Sequence, residues 1–366
     1  MGKDTVNILH IDTEREWRGG QQQVIYLLQG LLDRKITTSL VCQPSSRLAD
    51  FCIAHDLLFY PVRMLGELDV LAALKIAGLA RRHEFDILHL HSAHAISIGL
   101  LTKLFYSNPK LVGMRRVDFN IKNSILSRLK YRLMDRIVCI SDGIKNILAA
   151  DGIPSEKIAM IRSGIDINKF NHNPGAPNFR ERFKIPKSHT IIGTVAAMVG
   201  HKDYPTLLRA ARLVIQQIPE VTFLAVGHGP DLASIKKLSE DLQLRDRFIF
   251  AGFQEEVGPF LTNFDIFIMA SKLEGLGTSI LDAQSVGLPL IATRTGGIPE
   301  IVHHNRNGLL VPPQDPDTMA GAIIELIKDE PRRSRLGMNA KESVRNHSID
   351  KTIEETLRLY KELLNQ

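Results

Sequence analysis

A chain of 366 residues, 44% hydrophobic and 23% charged, has a globular composition and the length of about two domains. That excludes a disordered chain, a collagen-like fibre and a small disulfide scaffold, and 6% aromatics with a single Trp argue against a base-stacking platform. The net charge of +6 lies wholly in residues 1–170, which hold 23 Lys and Arg against 17 Asp and Glu; the remainder holds 23 of each.

In chain order, the first element is a strand, Val6–Ile11. Asp4, Asn7 and His10 interrupt any apolar leader, so no signal peptide is expected. A helix Gln21–Leu32 follows, then strands Thr38–Cys42, Ile87–Leu90, Leu111–Met114, Arg136–Ile140 and Ile158–Ile161, with helices Leu71–Arg82 and Ala95–Phe105 among them. Cys42, Cys52 and Cys139 form no Cys-x-x-Cys pair, which points to a reducing compartment. Residues 115–136 carry seven basic side chains interleaved with Ile125, Leu129, Tyr131, Leu133 and Met134. That pattern predicts a basic amphipathic helix, suited either to solvent or to an anionic membrane surface. Nothing in it suggests nucleic acid, because no helix-turn-helix, zinc or ribonucleoprotein motif accompanies the charge.

The turn-rich stretch Asn168 to Ala176 reads as a linker. Beyond it come strands Ile191–Ala196, Val221–Val226, Phe248–Ala251, Ile266–Met269, Leu290–Ala292 and Gly308–Val311, with helices Pro205–Ile218, Asp231–Leu242 and Thr278–Ser285. A helical stripe of Ile353, Leu357, Tyr360 and Leu364 ends the chain. Strands alternating with helices predict an α/β fold of two doubly wound, Rossmann-like domains. Their bounds are 1–170, joined by the tail helix 349–366, and 171–348. Such sheets bind ligands beyond the carboxyl ends of their strands, and a cleft between the two domains is the expected site. No run approaches the ~18 apolar residues of a membrane span, so a soluble, cytoplasmic protein is expected.

Two loops carry chemistry. Gly19 and Gly20, between a strand and a helix, let backbone approach a ligand where a helix N-terminus favours phosphate. The absence of Gly-x-Gly-x-x-Gly there disfavours a dinucleotide dehydrogenase. The richer signal runs from Ser271 to Asp282. Gly275 and Gly277 free the backbone, Thr278 and Ser279 open a helix, and Glu274 and Asp282 stand eight residues apart. Gly296-Gly297-Ile298-Pro299-Glu300 repeats the loop-to-helix pattern. His89, His91 and His94 look metal-like. However, His89 and His91 point to one side of a strand, the spacing is loose for zinc, and hydrogen-bonded histidines are the plainer reading.

Glu-Gly-x-Gly with an acid eight residues after the Glu, Gly-Leu-Pro, Gly-Gly-Ile-Pro-Glu and Asn-Gly-Leu-Leu-Val resemble the donor domain of family-4 retaining glycosyltransferases of the GT-B fold. Gly19-Gly20, Asp86-Ile-Leu-His-Leu-His91, Ser163-Gly-Ile-Asp166 and Gly227-His-Gly-Pro230 extend the resemblance over nearly the whole chain. It implies an NDP-sugar donor held mostly by the second domain, an acceptor held mostly by the first, and neither metal nor other cofactor. Asp315-Pro316-Asp317 matches a metal-binding Asp-x-Asp pattern but reads as a turn at a helix start. By the resemblance, Glu274 contacts the donor sugar and Asp282 holds ribose where the family usually has a second Glu. Backbone at Gly275, Leu276, Gly277, Thr278 and Ser279 lies near sugar and diphosphate, Gly19 and Gly20 approach the diphosphate, and the segment at Phe253 passes along the base. His91 and His94 fall at the cleft.

Two positions depart from the pattern. The family places an Arg and a Lys after the first donor-domain strand; Lys202 is present, but Ala197 stands at the Arg position, with His201 nearby. The family's His after the strand Leu111–Met114 is replaced by Arg115 and Arg116, either of which could supply the missing positive charge. The expectation is therefore a metal-independent retaining transfer of a hexose from an NDP-sugar to a glycan or lipid-linked acceptor of envelope or lipopolysaccharide type. Lys202 and loop amides would stabilise the leaving diphosphate, and the membrane contact would be peripheral through 115–136. A sugar-nucleotide epimerase and a non-catalytic NDP-sugar-binding protein are the alternatives.

Overall fold

The computed structural model describes residues 6–118, 125–170 and 179–365, in two compact units: 1–164 with 349–366, and 165–348. The division falls six residues before the boundary read from the sequence. Residues 171–176 of the linker stretch lie outside the described residues.

The first unit holds a seven-stranded parallel sheet. Its strands are β1 (Ile8–Ile11), β2 (Thr38–Cys42), β3 (Phe59–Pro61), β4 (Ile87–Leu90), β5 (Lys110–Arg115), β6 (Arg136–Cys139) and β7 (Ile158–Met160), in the order β3-β2-β1-β4-β5-β6-β7. β1, β2 and β4 are buried throughout, as expected of parallel strands covered on both faces by helices. The short edge strand β3, which contains Pro61, escapes the sequence reading. It borrows its order from β2, pairing Leu40 with Phe59 and Cys42 with Pro61.

The tail helix Ile349–Leu364 belongs to this unit. Ile353, Leu359, Tyr360 and Leu363 share a core with Ile8, Leu27, Leu31, Ile87 and Val112. The helix Gly19–Asp33 packs beside it, and Gly30 makes the contact possible: a Cβ there would fall 2.1 Å from Cδ1 of Ile353.

The second unit holds a six-stranded parallel sheet of β8 (Thr190–Val195), β9 (Val221–Val226), β10 (Phe248–Gly252), β11 (Ile266–Met269), β12 (Leu290–Thr293) and β13 (Leu309–Val311). Its order, β10-β9-β8-β11-β12-β13, is that of a dinucleotide-binding doubly wound sheet. Both sheets reverse their winding beside their first strand, at β1/β4 and at β8/β11. At such switch points the connecting helices leave to opposite faces and the loops part to form a crevice.

The basic stretch corrects one expectation. Arg115 closes β5 and Arg136 opens β6, and within the stretch the described helix spans only Ile125–Arg132. Sheet pairing takes both ends, with Arg115 opposite Cys139 and Arg136 opposite Val112. Much of the charge is committed internally. Lys130 bonds Glu67, Ser97 and the Ala93 carbonyl, and Arg132 bonds the Gly152 carbonyl. Lys122 lies outside the described residues. No helix among the described residues is long and apolar enough to cross a membrane.

Candidate active site

In the second unit, the β8/β11 switch point brings together loops some seventy residues apart in sequence. After β8 the chain makes a 3-10 turn, Gly200–Lys202, and enters the helix Tyr204–Gln217 through Asp203. After β11 it runs Ala270 to Gly277 and enters the helix Thr278–Ser285. The Lys202 ammonium donates to Oε2 of Glu274, and both side chains are largely buried, 15% and 13% exposed. Ser271 Oγ donates to the same oxygen at 3.1 Å.

Hydroxyls brace the Glu274 loop from the next strand. Thr293 donates to the Ser271 carbonyl and Thr295 to the Lys272 carbonyl, each at 2.6 Å. Lys272 N donates to the His201 carbonyl at 2.8 Å, and Gly297 N donates to the Glu274 carbonyl at 3.0 Å. The Gly296-Gly297 turn thus supports the Glu274 loop directly. Sequence spacing singled out neither Thr293 nor Thr295, because nothing local marks a threonine as a brace for another loop.

Gly277 caps the helix Thr278–Ser285 in a left-handed conformation, φ 91°, and contributes no capping side chain. The first-turn amides at Thr278 and Ser279 therefore suit an external anion. Leu276 is buried within the loop, its backbone included. Phe253, after β10, is 42% exposed, and His201 is exposed in its turn. Asp203 is buried in a left-handed conformation, accepts from Thr206 Oγ1 at 2.8 Å and faces Lys272 at 3.7 Å, which orients the turn carrying Lys202.

Asp282 sits one turn into the same helix. Burial pushes its carboxyl up to about 6, and Lys169 opposes that rise. An acid bound more tightly by protons when folded adds stability below its unfolded pKa and loses it as pH climbs through the folded value. Asp282→Asn is therefore expected to raise Tm at pH 7.5 by a few degrees, roughly 1–2 kcal/mol after allowance for partial exposure. The gain should vanish near pH 4 in melts run across the pH range.

In the first unit, the β1/β4 switch point gathers a different set. Arg116, just beyond β5, donates from Nη1 to the His91 carbonyl at 3.1 Å and from Nη2 to His91 Nδ1 at 3.2 Å. Its side chain passes Gly20, where a Cβ would lie 3.8 Å from Arg116 Cδ. Burial lowers the Arg116 pKa to about 10 while Asp12 opposes, so the group stays cationic at neutral pH. Asp12 is fully buried after β1, accepts from Glu14 N at 2.8 Å and from Gln21 Nε2 at 3.2 Å, and burial raises its carboxyl to about 6. Gly19 and Gly20 open the helix Gly19–Asp33 beside this group.

Arg115 and Arg116, equal candidates in the sequence, separate in the structure. Neighbours on extended backbone face opposite ways. Arg115 donates to the Tyr131 hydroxyl at 2.9 Å and lies over that ring, so its charge serves packing rather than the switch point. The three-histidine cluster also changes membership. His94 is exposed on the first turn of the helix Ala93–Phe105 and faces Glu67 at 3.7 Å. His10 joins His89 and His91 instead, all three buried and with one nitrogen each within 4.8 Å of the others.

That spacing is metal-like, but the donor set argues otherwise. His91 Nδ1 faces the Arg116 cation and its other nitrogen bonds His10. A metal-bound imidazole instead needs an acceptor for its remaining N–H. Asp315 caps the helix Pro316–Lys328 by accepting from Thr318 N and Oγ1, which accounts for the Asp-x-Asp string.

Comparison with known proteins identifies the family. Residues 17–169 match the family model "Glycosyltransferase Family 4" and residues 176–343 match "Glycosyl transferases group 1". The chain is a group 1 glycosyltransferase. N-acetyl-alpha-D-glucosaminyl L-malate synthase of Bacillus anthracis is 28% identical over 78% of this chain and 76% of that protein. The UDP-Gal:alpha-D-GlcNAc-diphosphoundecaprenol alpha-1,3-galactosyltransferase of Escherichia coli is 22% identical over 89% of each. Anabaena Alr3699/HepE, solved with UDP and glucose, superposes with a TM-score of 0.83 at 20% identity over 96% of this chain and 99% of that one. The group 1 glycosyltransferase therefore has the GT-B fold, two parallel-sheet Rossmann-like domains.

Proposed function

We propose that this glycosyltransferase moves a hexose-type sugar from an NDP-sugar to a glycan or lipid-linked acceptor, with retention at the anomeric carbon and without a metal. The observation that carries the reading is the Lys202–Glu274 pair at the second unit's switch point, beside the open N-terminus of the helix Thr278–Ser285. As the glycosidic C–O bond breaks, negative charge gathers on the diphosphate and positive charge on the sugar ring. A Lys with further N–H donors to spare and first-turn amides meet the former, and Glu274 meets the sugar. Asp282 takes ribose hydroxyls, and Arg116 with Gly19 and Gly20 serves a substrate phosphate. With no base assigned on the protein, the acceptor hydroxyl attacks on the face the diphosphate leaves and passes its proton to the departing phosphate oxygen.

A uridine nucleotide is the first choice of donor, because a relative and a structural neighbour are named with UDP or a UDP-sugar. The relative acting on a diphosphoundecaprenol substrate supports a lipid-linked acceptor. The reading places the enzyme in the cytoplasm, at the membrane face that presents such a lipid.

The test is a thermal-shift screen against UDP, GDP, ADP and their sugars, followed by transfer assays in EDTA with the stabilising donor. One nucleoside diphosphate should raise Tm, since ligand bound only to the native state stabilises it. Transfer should persist in EDTA and yield an α-linked product from an α-linked donor. Interconversion of the sugar without acceptor would make the chain an epimerase, and binding with neither transfer nor hydrolysis a donor-binding protein.

A further inference from the structure

We propose that His10, remote from the reacting groups in sequence and carried on β1, is a positioning residue that holds the Arg116 guanidinium in one orientation through His91. The proposal rests on the reading of Arg116 as the cation for a substrate phosphate.

The protons can be placed atom by atom. Arg116 only donates, so the Nη2 contact at 3.2 Å requires a lone pair on His91 Nδ1. A neutral His91 then carries its hydrogen on Nε2, which donates to His10 Nδ1 at 2.9 Å. His10 in turn carries its hydrogen on Nε2, which has no hydrogen-bond partner among the described residues. The opposite His91 tautomer would aim an N–H at the guanidinium and lose the Nη2 contact, and His10 would have to move its own hydrogen to Nδ1 to keep the bond between the two rings. A buried polar group without its partner is costly, so the His10 acceptor, by taking the Nε2–H of His91, supports the tautomer that receives Arg116.

Packing keeps the rings in place. His10 pairs with His89 in the β1/β4 register, and the rings of His89 and His91 lie 4.3 Å apart. Tyr360 of the tail helix anchors His89 through Nδ1 at 2.5 Å. Burial keeps all three imidazoles neutral: His10 is lowered to about 3, and His89 and His91 fall well below their usual value. The array thus orients a cation without adding charge that would repel it.

The test reads tautomers and turnover together in full-length protein. Long-range proton–nitrogen correlation at pH 7.5 should show wild-type His91 and His10 as single Nε2–H tautomers. His10→Leu should give His91 a mixture and lower kcat about tenfold to thirtyfold, with a smaller change in donor KM. His10→Asn sets an amide oxygen where Nδ1 was, and should restore the single His91 tautomer and most of the turnover. An Nδ1–H tautomer for wild-type His91 would overturn the proposal, and this measurement does not depend on any variant folding. So would wild-type turnover and an unchanged His91 tautomer in His10→Leu. Wild-type turnover in Arg116→Ala, with the His91 tautomer still following His10, would remove the substrate role of Arg116 and leave the proton chain supported.

Discussion

Lys202→Ala is expected to lower kcat by about a hundredfold to a thousandfold, the usual loss when one preorganised donor to a developing anion is removed. The effect should fall on kcat more than on donor KM, because the charge that Lys202 meets is largest as the bond breaks. The variant also takes the Lys202 ammonium from Glu274. Its carboxylate, 13% exposed, keeps Ser271 but loses its cation. Breaking one side of a buried pair is strongly destabilising, so Tm should drop as well. The double variant Lys202→Ala/Glu274→Gln separates the two effects: it should recover much of the lost Tm, because the amide needs no counter-charge, and none of the lost turnover. Melts and initial rates at a temperature well below the variant's Tm measure both. Full turnover in folded Lys202→Ala would sink the assignment of the leaving-group cation.

Arg116→Ala is expected to cost about a hundredfold in kcat/KM, and Arg116→Lys to recover less than a tenth of that loss. The lysine result is the more telling. Arg116 spans two acceptors of one residue, the His91 carbonyl and Nδ1, while its side chain passes Gly20. A single ammonium lacks the planar fork that holds such an orientation. Arg115→Ala serves as the contrast. Its guanidinium is spent on Tyr131, so the substitution should lower Tm by removing that packing and leave kcat/KM within about threefold of wild type. The pair of outcomes tests the proposal that Arg116, and not Arg115, serves a substrate phosphate. Equal losses in both, at matched stability, would count against the division seen in the structure.

Much of the architecture was legible in one dimension. Buried parallel strands are short β-branched runs between helical patterns, and Thr38–Cys42, Ile87–Leu90, Val221–Val226 and Ile266–Met269 occupy the residues their composition predicts. The order Glu274-Gly275-Leu276-Gly277 before a helix was equally readable, since a glycine-rich loop at a helix start is a local arrangement. The tail's apolar stripe announced that Ile353 and Tyr360 would be buried, but Leu364 at its end is exposed and Leu359 and Leu363 fill the core instead. Where local pattern misled, competing pairing was the cause. The basic run from Arg115 to Arg136 has helical spacing, but Arg115 is drawn into β5 as Arg136 is into the strand already read there, and hydrogen bonds along a sheet outweigh a short helix's own preference.

The amino-acid order by itself thus determined the fold class, the family and the glycine-rich loops at the helix starts, because each is written in residue patterns along short segments. The tertiary structure alone decided which side chains meet. The β8/β11 neighbour relation set Lys202 against Glu274, and the β1/β4 register brought His10 to His89, where chain proximity had suggested His94. It also turned Arg115 toward Tyr131 and Arg116 toward His91. These pairings follow from strand order and from which face of a sheet a residue occupies, and neither is encoded in the spacing of residues along one segment.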